Sequence, residues 1–332
     1  MASGYSLCVT SPITFDDITE ARHRIAPYLQ TTPLRHYREL DEVVGNGIRV
    51  LVKHENHLPT NAFKARNALS LMTALEPAQR TRGVVAATRG NHGAGLAWAG
   101  EQLGVPVVIC VPHGNNPEKN AAMRGFGAEL VEAGRDYDEA AEVANRLVLD
   151  RGLVLAHSTN DRHVIAGAGT MAAEICEQAP DLDAMVVAVG GGSQAVGALA
   201  ASRTLRPGVS VFGVQATGAS AIHDSWHART RLTVDAANTF ADGLATRATY
   251  DLTWPALREG LAGFVKVSDP AIAEAIRVLI RTTHNLAEGA GAAGLAGLLA
   301  LRDELAGKTV AVILSGSNID AATLRRVVTG EL

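Results

Sequence analysis

Short runs rich in valine and isoleucine recur along this chain, each followed by a turn signal and usually by a helical stretch. They fall at 84–88, 107–111, 185–189, 209–214 and 309–314. Apolar strands that alternate with helices predict parallel β-sheets covered by helices, an α/β fold. The run at 185–189 is apolar throughout rather than alternating, the pattern of a strand buried on both faces. Helix ends are marked as well: Ser268-Asp269-Pro270 offers an N-cap with proline just inside, and Gly104 closes a helix that begins near Gly93. Residues 217–262 carry the weakest signals.

Three of these strands run into polar, glycine-bearing turns that precede a helix. They are Thr88-Arg89-Gly90-Asn91-His92-Gly93, Gly190-Gly191-Gly192-Ser193 and Ser315-Gly316-Ser317-Asn318, with helices expected at 94–103, 194–202 and 320–328. At the carboxyl end of a parallel strand, backbone amides and a helix dipole attract anions, and pockets of open α/β sheets form along that edge. Gly190, Gly192 and Ala195 also fit a dinucleotide fingerprint, which requires an acid about 20 residues further on. No Asp or Glu occurs between Met185 and His223, and the next strand ends in Gln215. A cradle for one phosphate monoester is the better reading.

Lys64 adds a reactive group. An apolar strand-like run at 48–53 leads into a turn at Pro59-Thr60-Asn61, with Asn61 as N-cap. Ala62, Phe63, Ala65, Leu69, Met72 and Leu75 then suit a helix with one apolar side. Lys64 would sit in the first turn, near the positive end of the dipole and beside the Phe63 ring. A cation is disfavoured there, so the amine should lose its proton readily, as Schiff-base chemistry requires. A phosphate cup, such a lysine, a second anion turn and a serine at a third strand end together suit a phosphorylated aldehyde that forms an imine. That cofactor is pyridoxal 5'-phosphate, PLP.

Composition narrows the partners. The 332 residues allow about two domains, and 47% hydrophobic with 19% charged residues is ordinary for a globular protein. A formal charge of −4 with scattered Lys and Arg offers no basic patch, so neither nucleic acid nor an anionic membrane surface is expected as a partner. The apolar stretch 292–301 is short and flanked by charge, and reads as a buried Ala/Gly-rich helix rather than a membrane span. Cys8, Cys110 and Cys176 lack metal spacing and fit a reduced cytoplasmic setting. The first residues show no basic-then-apolar targeting pattern. His54 and His57 lack a third ligand, so no metal is expected there. Trp98, Trp226 and Trp254 read as core or interface residues.

From about residue 15 to 326 the chain resembles the fold-type II PLP enzymes of the tryptophan-synthase-β type, and among them the serine/threonine dehydratases. Glu55-Asn56 with Ala62-Phe63-Lys64-Ala65-Arg66 is similar to that family's lysine segment. Thr88-Arg89-Gly90-Asn91-His92 resembles its S-x-G-N-H turn, and Gly190-Gly191-Gly192-Ser193 its tetraglycine loop. Ala241-Asp242-Gly243-Leu244-Ala245, Glu288-Gly289-Ala290-Gly291-Ala292 and Ser315-Gly316-Ser317-Asn318-Ile319-Asp320 resemble three further motifs.

The resemblance implies two α/β domains, a large one from 1–81 and 158–332 and a small one from 82–157, with PLP in the cleft between them. It implies that Lys64 bonds the cofactor aldehyde and removes the substrate's α-proton. Phe63 would pack on the pyridine ring, Asn91 would bond the phenolic oxygen, and Gly190, Gly191, Gly192 and Ser193 would hold the phosphate. Ser315 would meet the ring nitrogen without forcing its protonation, which favours prompt loss of a β-substituent. Glu288 would lie near the cofactor, or else cap the helix at Gly291. Thr88, Arg89, Asn91 and His92 would bind the carboxylate of an amino-acid substrate. The implied reaction is β-elimination from a hydroxy amino acid such as threonine, serine or a 3-hydroxyaspartate, giving a 2-keto acid and ammonia, with β-replacement as the alternative.

Arg89 stands where serine racemases carry a second base, and a guanidinium does not deprotonate, so racemisation is disfavoured. It would either clamp a second acidic group of the substrate or face solvent or a structural acid. Asn67 and Ser193 replace glycines of the family pattern. Gln215, Ala219 and Ala221 lack the carboxylates of a divalent-cation site, so no tight metal is expected. A homodimer is expected by analogy, and control by isoleucine is not, for want of a further regulatory domain.

Overall fold

The computed structural model describes residues 11–332, so Cys8 lies outside the described residues. A six-stranded sheet has the order β1-β2-β10-β7-β8-β9. Its strands are β1 (Leu34–His36), β2 (Arg49–His54), β7 (Ala184–Ala188), β8 (Ser210–Ala216), β9 (Gly263–Val267) and β10 (Thr309–Leu314). Only β1 runs antiparallel to its neighbour. A four-stranded, all-parallel sheet has the order β5-β4-β3-β6, from β3 (Val84–Ala87), β4 (Val107–Val111), β5 (Glu129–Glu132) and β6 (Val154–Leu155). All four of its strands fall within residues 84–155, while the larger sheet takes strands from both sides of that segment.

The two-residue period of a strand sorts the apolar runs onto two faces. Val50, Val52, Val310 and Val312 pack on one side with α2 (Arg38–Val44), α12 (Asp269–Thr283) and α13 (Gly289–Ala300). Leu51, Ala311, Ile313 and Met185 pack on the other with α1 (Phe15–Ile25), α8 (Arg162–Gln178), α9 (Ser193–Leu205) and α11 (Trp254–Gly260). In the small sheet, Val84, Ala86 and Ile109 meet α3 (Lys64–Thr73), α5 (Asn91–Leu103) and α6 (Pro117–Gly125), and Val85 and Val108 meet α7 (Tyr137–Arg151). Three short helices complete the fold: α4 (Pro77–Arg82), α10 (Ala221–Ala228) and α14 (Ala321–Val328). No helix among the described residues is long and apolar enough to cross a membrane.

Helix α3 departs from expectation in two ways. Asn61 is not its N-cap: the residue has φ +53°, and the helix starts at Lys64 with no side-chain cap. The cause is a long-range bridge. Phe63 N donates to Ser315 O at 3.0 Å and Ser317 N donates to Asn61 O at 2.9 Å, which keeps the chain out of the helix until Lys64. Nor does α3 have a single apolar side, since every residue from Ala65 to Met72 is buried between α5 and α8.

Polar residues of α3 are therefore paired inside the protein. The Arg66 guanidinium donates to both Glu55 carboxylate oxygens at 2.7 and 3.0 Å and to both of Glu174 at 2.7 and 2.8 Å. Lys53 Nζ donates to Glu174 Oε2 at 2.7 Å, Thr32 O at 2.8 Å and Gln178 Oε1 at 2.9 Å. Two cations and two anions share one buried cluster of zero net charge. Burial opposes the Arg66 charge, and the two carboxylates more than offset it, holding the guanidinium firmly protonated.

Candidate active site

A cavity of about 600 Å³ opens along the carboxyl ends of β3, β7 and β10, so all three glycine-bearing turns reach it. Its lining includes Phe63 and Lys64, then Thr88, Arg89, Asn91 and His92, then Gly190, Gly191, Gly192 and Ser193, then Glu288 and Ser315. Residues spread over some 250 positions of sequence thus converge on one space.

Lys64 Nζ donates to Ser158 O at 3.1 Å and lies 4.9 Å from the centre of the Phe63 ring, with no carboxylate partner among the described residues. Burial deep in the fold lowers its pKa to about 8, although the side chain keeps some exposure to the cavity. Desolvation by burial is the cause of that shift. His92 Nε2 bonds Ala156 O at 2.8 Å, so that nitrogen carries the hydrogen. Burial first, and the Lys64 charge second, push the imidazole down to about 3, and it stays neutral.

Glu288 occupies the N-cap position of α13 but makes no capping bond. Its Oε1 accepts instead from Asn91 Nδ2 at 2.5 Å, and Asn91 Oδ1 accepts from Asn318 Nδ2 at 2.7 Å. These partners fix which end of the Asn91 amide is which. Burial raises the Glu288 pKa to about 7, opposed in part by the Lys119 charge and the Asn91 bond. Ser315 Oγ makes one long bond, 3.4 Å, to Ala290 O.

The Gly190 turn is pinned by its carbonyls. Thr246 Oγ1 donates to Gly190 O at 3.2 Å and Thr253 Oγ1 to Gly191 O at 2.8 Å. A Cβ on Gly190 would stand 2.1 Å from Gly243 O, and Gly192 has φ +101°, so neither position admits a side chain without strain. Ser193 then opens α9, whose N-terminus carries no side-chain cap. Unpaired amides at the start of a helix of 13 residues make an anion seat.

Sequence reasoning missed several residues here. Lys119 of α6 pairs with Asp242 across the mouth, and Arg247 pairs with Asp138. Gln194 and Thr159 also line the wall. Asp242 lay inside a quoted motif but had no role, and nothing local marked Lys119. His54 and His57 stack at 4.8 Å and are held by Tyr37 and Asn285, 2.9 Å each. Gln215 donates to Thr246 Oγ1 and accepts from His223 N.

An amine freed of its proton near pH 8, a glycine anion seat and a serine-bearing strand end facing one cavity define an enzyme that holds a phosphorylated aldehyde on a lysine. The residues present fit that group: the cradle admits no Cβ, the amine has no competing acid among the described residues, and Ser315 Oγ holds only a long bond to Ala290 O. The chain belongs to the pyridoxal-phosphate dependent enzyme family, whose pattern matches residues 25–316. It is 37% identical to an L-threonine ammonia-lyase of Thermotoga maritima, over 95% of this chain and 78% of that one. An L-threo-3-hydroxyaspartate ammonia-lyase of Saccharomyces cerevisiae is 31% identical over 96% and 97% of the two chains. The structure of maize serine racemase superposes with a TM-score of 0.90 at 30% identity, covering 96% of this chain and 98% of the other.

Proposed function

We propose that this chain is a PLP-dependent ammonia-lyase that removes water and then ammonia from a β-hydroxy amino acid, leaving a 2-keto acid. The observation that carries this reading is Lys64, an amine brought to about pKa 8 with no carboxylate partner, on one cavity with the Gly190 turn and Ser315. Bound PLP supplies an electron sink for the bond broken at Cα.

The chain's own groups do the rest. Lys64 Nζ takes the α-proton, with Ser158 O as one acceptor for the ammonium that results. Asn91 and Ser315 would hold the cofactor ring, with Phe63 packing beside it. The amides of Gly190, Gly191, Gly192 and Ser193 would seat its phosphate. The amides opening α5, with Thr88 and His92 beside them, hold the substrate's α-carboxylate. Arg89 offers no second base, which favours elimination over racemisation.

The reading has residues 82–157 as a small domain inserted in a large one of 1–81 and 158–332, with the cofactor between them. Support comes from the confinement of β3–β6 to 84–155. It also takes the enzyme to be a cytoplasmic homodimer. Cys110 and Cys176 are free and buried, as suits a reducing compartment, and light scattering tests the dimer. The decisive experiment combines colour and turnover. The purified protein with PLP should absorb near ~410–420 nm and bleach with borohydride, and it should release keto acid from a panel of hydroxy amino acids. Lys64→Arg should do neither. A colourless protein, or an active Lys64→Arg variant, refutes the proposal.

A further inference from the structure

We infer that Arg89 selects a substrate carrying a second carboxylate, so that the preferred substrate class is the β-hydroxy-α-amino dicarboxylic acids. This rests on the β-elimination reading above and adds the substrate class to it. Three observations lead here.

The first is that the turn after β3 already has a seat for one carboxylate that does not need Arg89. Helix α5 has 13 residues and no side-chain cap, and its first helical amide bond is from Ala94 N, which donates to Gly90 O at 3.1 Å. The amides of Asn91, His92 and Gly93 precede that bond and are left for a ligand. An α-carboxylate common to every amino acid fits there.

The second is the state of the cations around the cavity. Lys119 is paired with Asp242 and Arg247 with Asp138. Arg89 is exposed, lines the same cavity and forms no ion pair among the described residues. Its backbone is nevertheless held, since Asn115 Nδ2 donates to Arg89 O at 3.3 Å. A fixed backbone with an uncommitted guanidinium is what a clamp requires, because a planar fork bonds a carboxylate through two parallel N–H groups.

The third is the field at the turn. The Lys119 side chain lies across Gly90, whose added Cβ would be 3.1 Å from Lys119 Cδ and 3.7 Å from its Nζ. A second basic side chain, its charge shared with Asp242, thus flanks the position next to Arg89. The two anion seats are neighbours in the chain, which suits carboxylates on adjacent carbons, as in a four-carbon hydroxy amino dicarboxylic acid.

The chemistry balances without an added oxidant. The Cα–H bond breaks and its proton goes to Lys64. The Cβ–O bond breaks with its electron pair on oxygen, which takes up the proton held by Lys64 and leaves as water. One water then hydrolyses the C=N bond, so the net products are a 2-keto dicarboxylic acid and ammonia.

The test compares 3-hydroxyaspartate with serine and threonine in the wild-type holoenzyme and in Arg89→Ala and Arg89→Lys. Wild type should favour the dicarboxylic substrate. Arg89→Ala should lower the ratio of kcat/KM for hydroxyaspartate over serine by about 100-fold, chiefly through KM, and Arg89→Lys should fall between. Binding without turnover gives a second reading. Succinate should perturb the cofactor absorbance of the wild type far more strongly than propionate does, and this advantage should shrink in Arg89→Lys and with added salt. A wild type that prefers serine or threonine overturns the inference, as does a ratio unmoved in the variants or equal binding of the two acids. Failure of the β-elimination reading looks different, because then no hydroxy amino acid yields a keto acid.

Discussion

Replacing Arg66 by methionine tests how the buried charges beneath Lys64 hold the site. Arg66 is 1% exposed, and Lys53, Glu55 and Glu174 are 0%, 0% and 3% exposed. The cluster holds two positive and two negative charges. Arg66→Met leaves one positive against two negative, and removing one partner of a buried pair costs about 3–5 kcal/mol. Glu174→Met leaves the opposite imbalance at a similar cost. The double variant restores neutrality, with Lys53 still bonded to Thr32 O and Gln178 and Glu55 still accepting from Thr32 Oγ1. It should therefore cost no more than about 4 kcal/mol, well short of the roughly 6–10 kcal/mol that addition predicts. Urea unfolding of the four proteins followed by circular dichroism, with equal slopes, measures this. A double variant within about 0.5 kcal/mol of the sum refutes the argument from charge balance.

Three further outcomes are expected. Only a neutral amine attacks an aldehyde, so the rate at which PLP joins the protein should rise with pH through about 8; a midpoint near 10.5 would mean that Lys64 is solvated. Glu288 is raised from 4.5 to about 7, so its contribution to stability is full below 4.5 and is lost as pH rises through 7. Relative to Glu288→Gln, the wild type should lose roughly 3 kcal/mol across that window, and parallel stability curves would contradict the assignment. Gly190→Ala, which forces a Cβ to 2.1 Å from Gly243 O, should lose PLP on dialysis while keeping its far-UV spectrum; full retention would show that the cradle gives way.

Strands β4 and β10 match their apolar runs end for end, because each run is buried on both faces and stops at a polar turn. The edge strands were not legible. β6 has only two residues, β1 is largely exposed, and β5 begins and ends in exposed glutamates, so tertiary pairing rather than composition makes them strands. Within 217–262, helices α10 and α11 form despite weak signals. The start of α3 was misplaced because its cause lies at Ser315 and Ser317, far away in sequence. The lowered proton affinity of Lys64 is legible from its place at the start of a helix, while the burial that also lowers it shows in no local pattern. Glu288 reads two ways in the sequence because its partner, Asn91, is 197 positions distant.

The bridge that joins Asn61 and Phe63 to the turn after β10 has a temporal consequence. β10 lies between β2 and β7, so the larger sheet stays in two unjoined halves until the chain has been made past residue 314. Lys64 emerges from the ribosome long before its neighbours do. A nascent chain that has not yet reached β10 therefore lacks the bridge that sets the start of α3, and with it the Ser315 wall of the cavity that Lys64 lines.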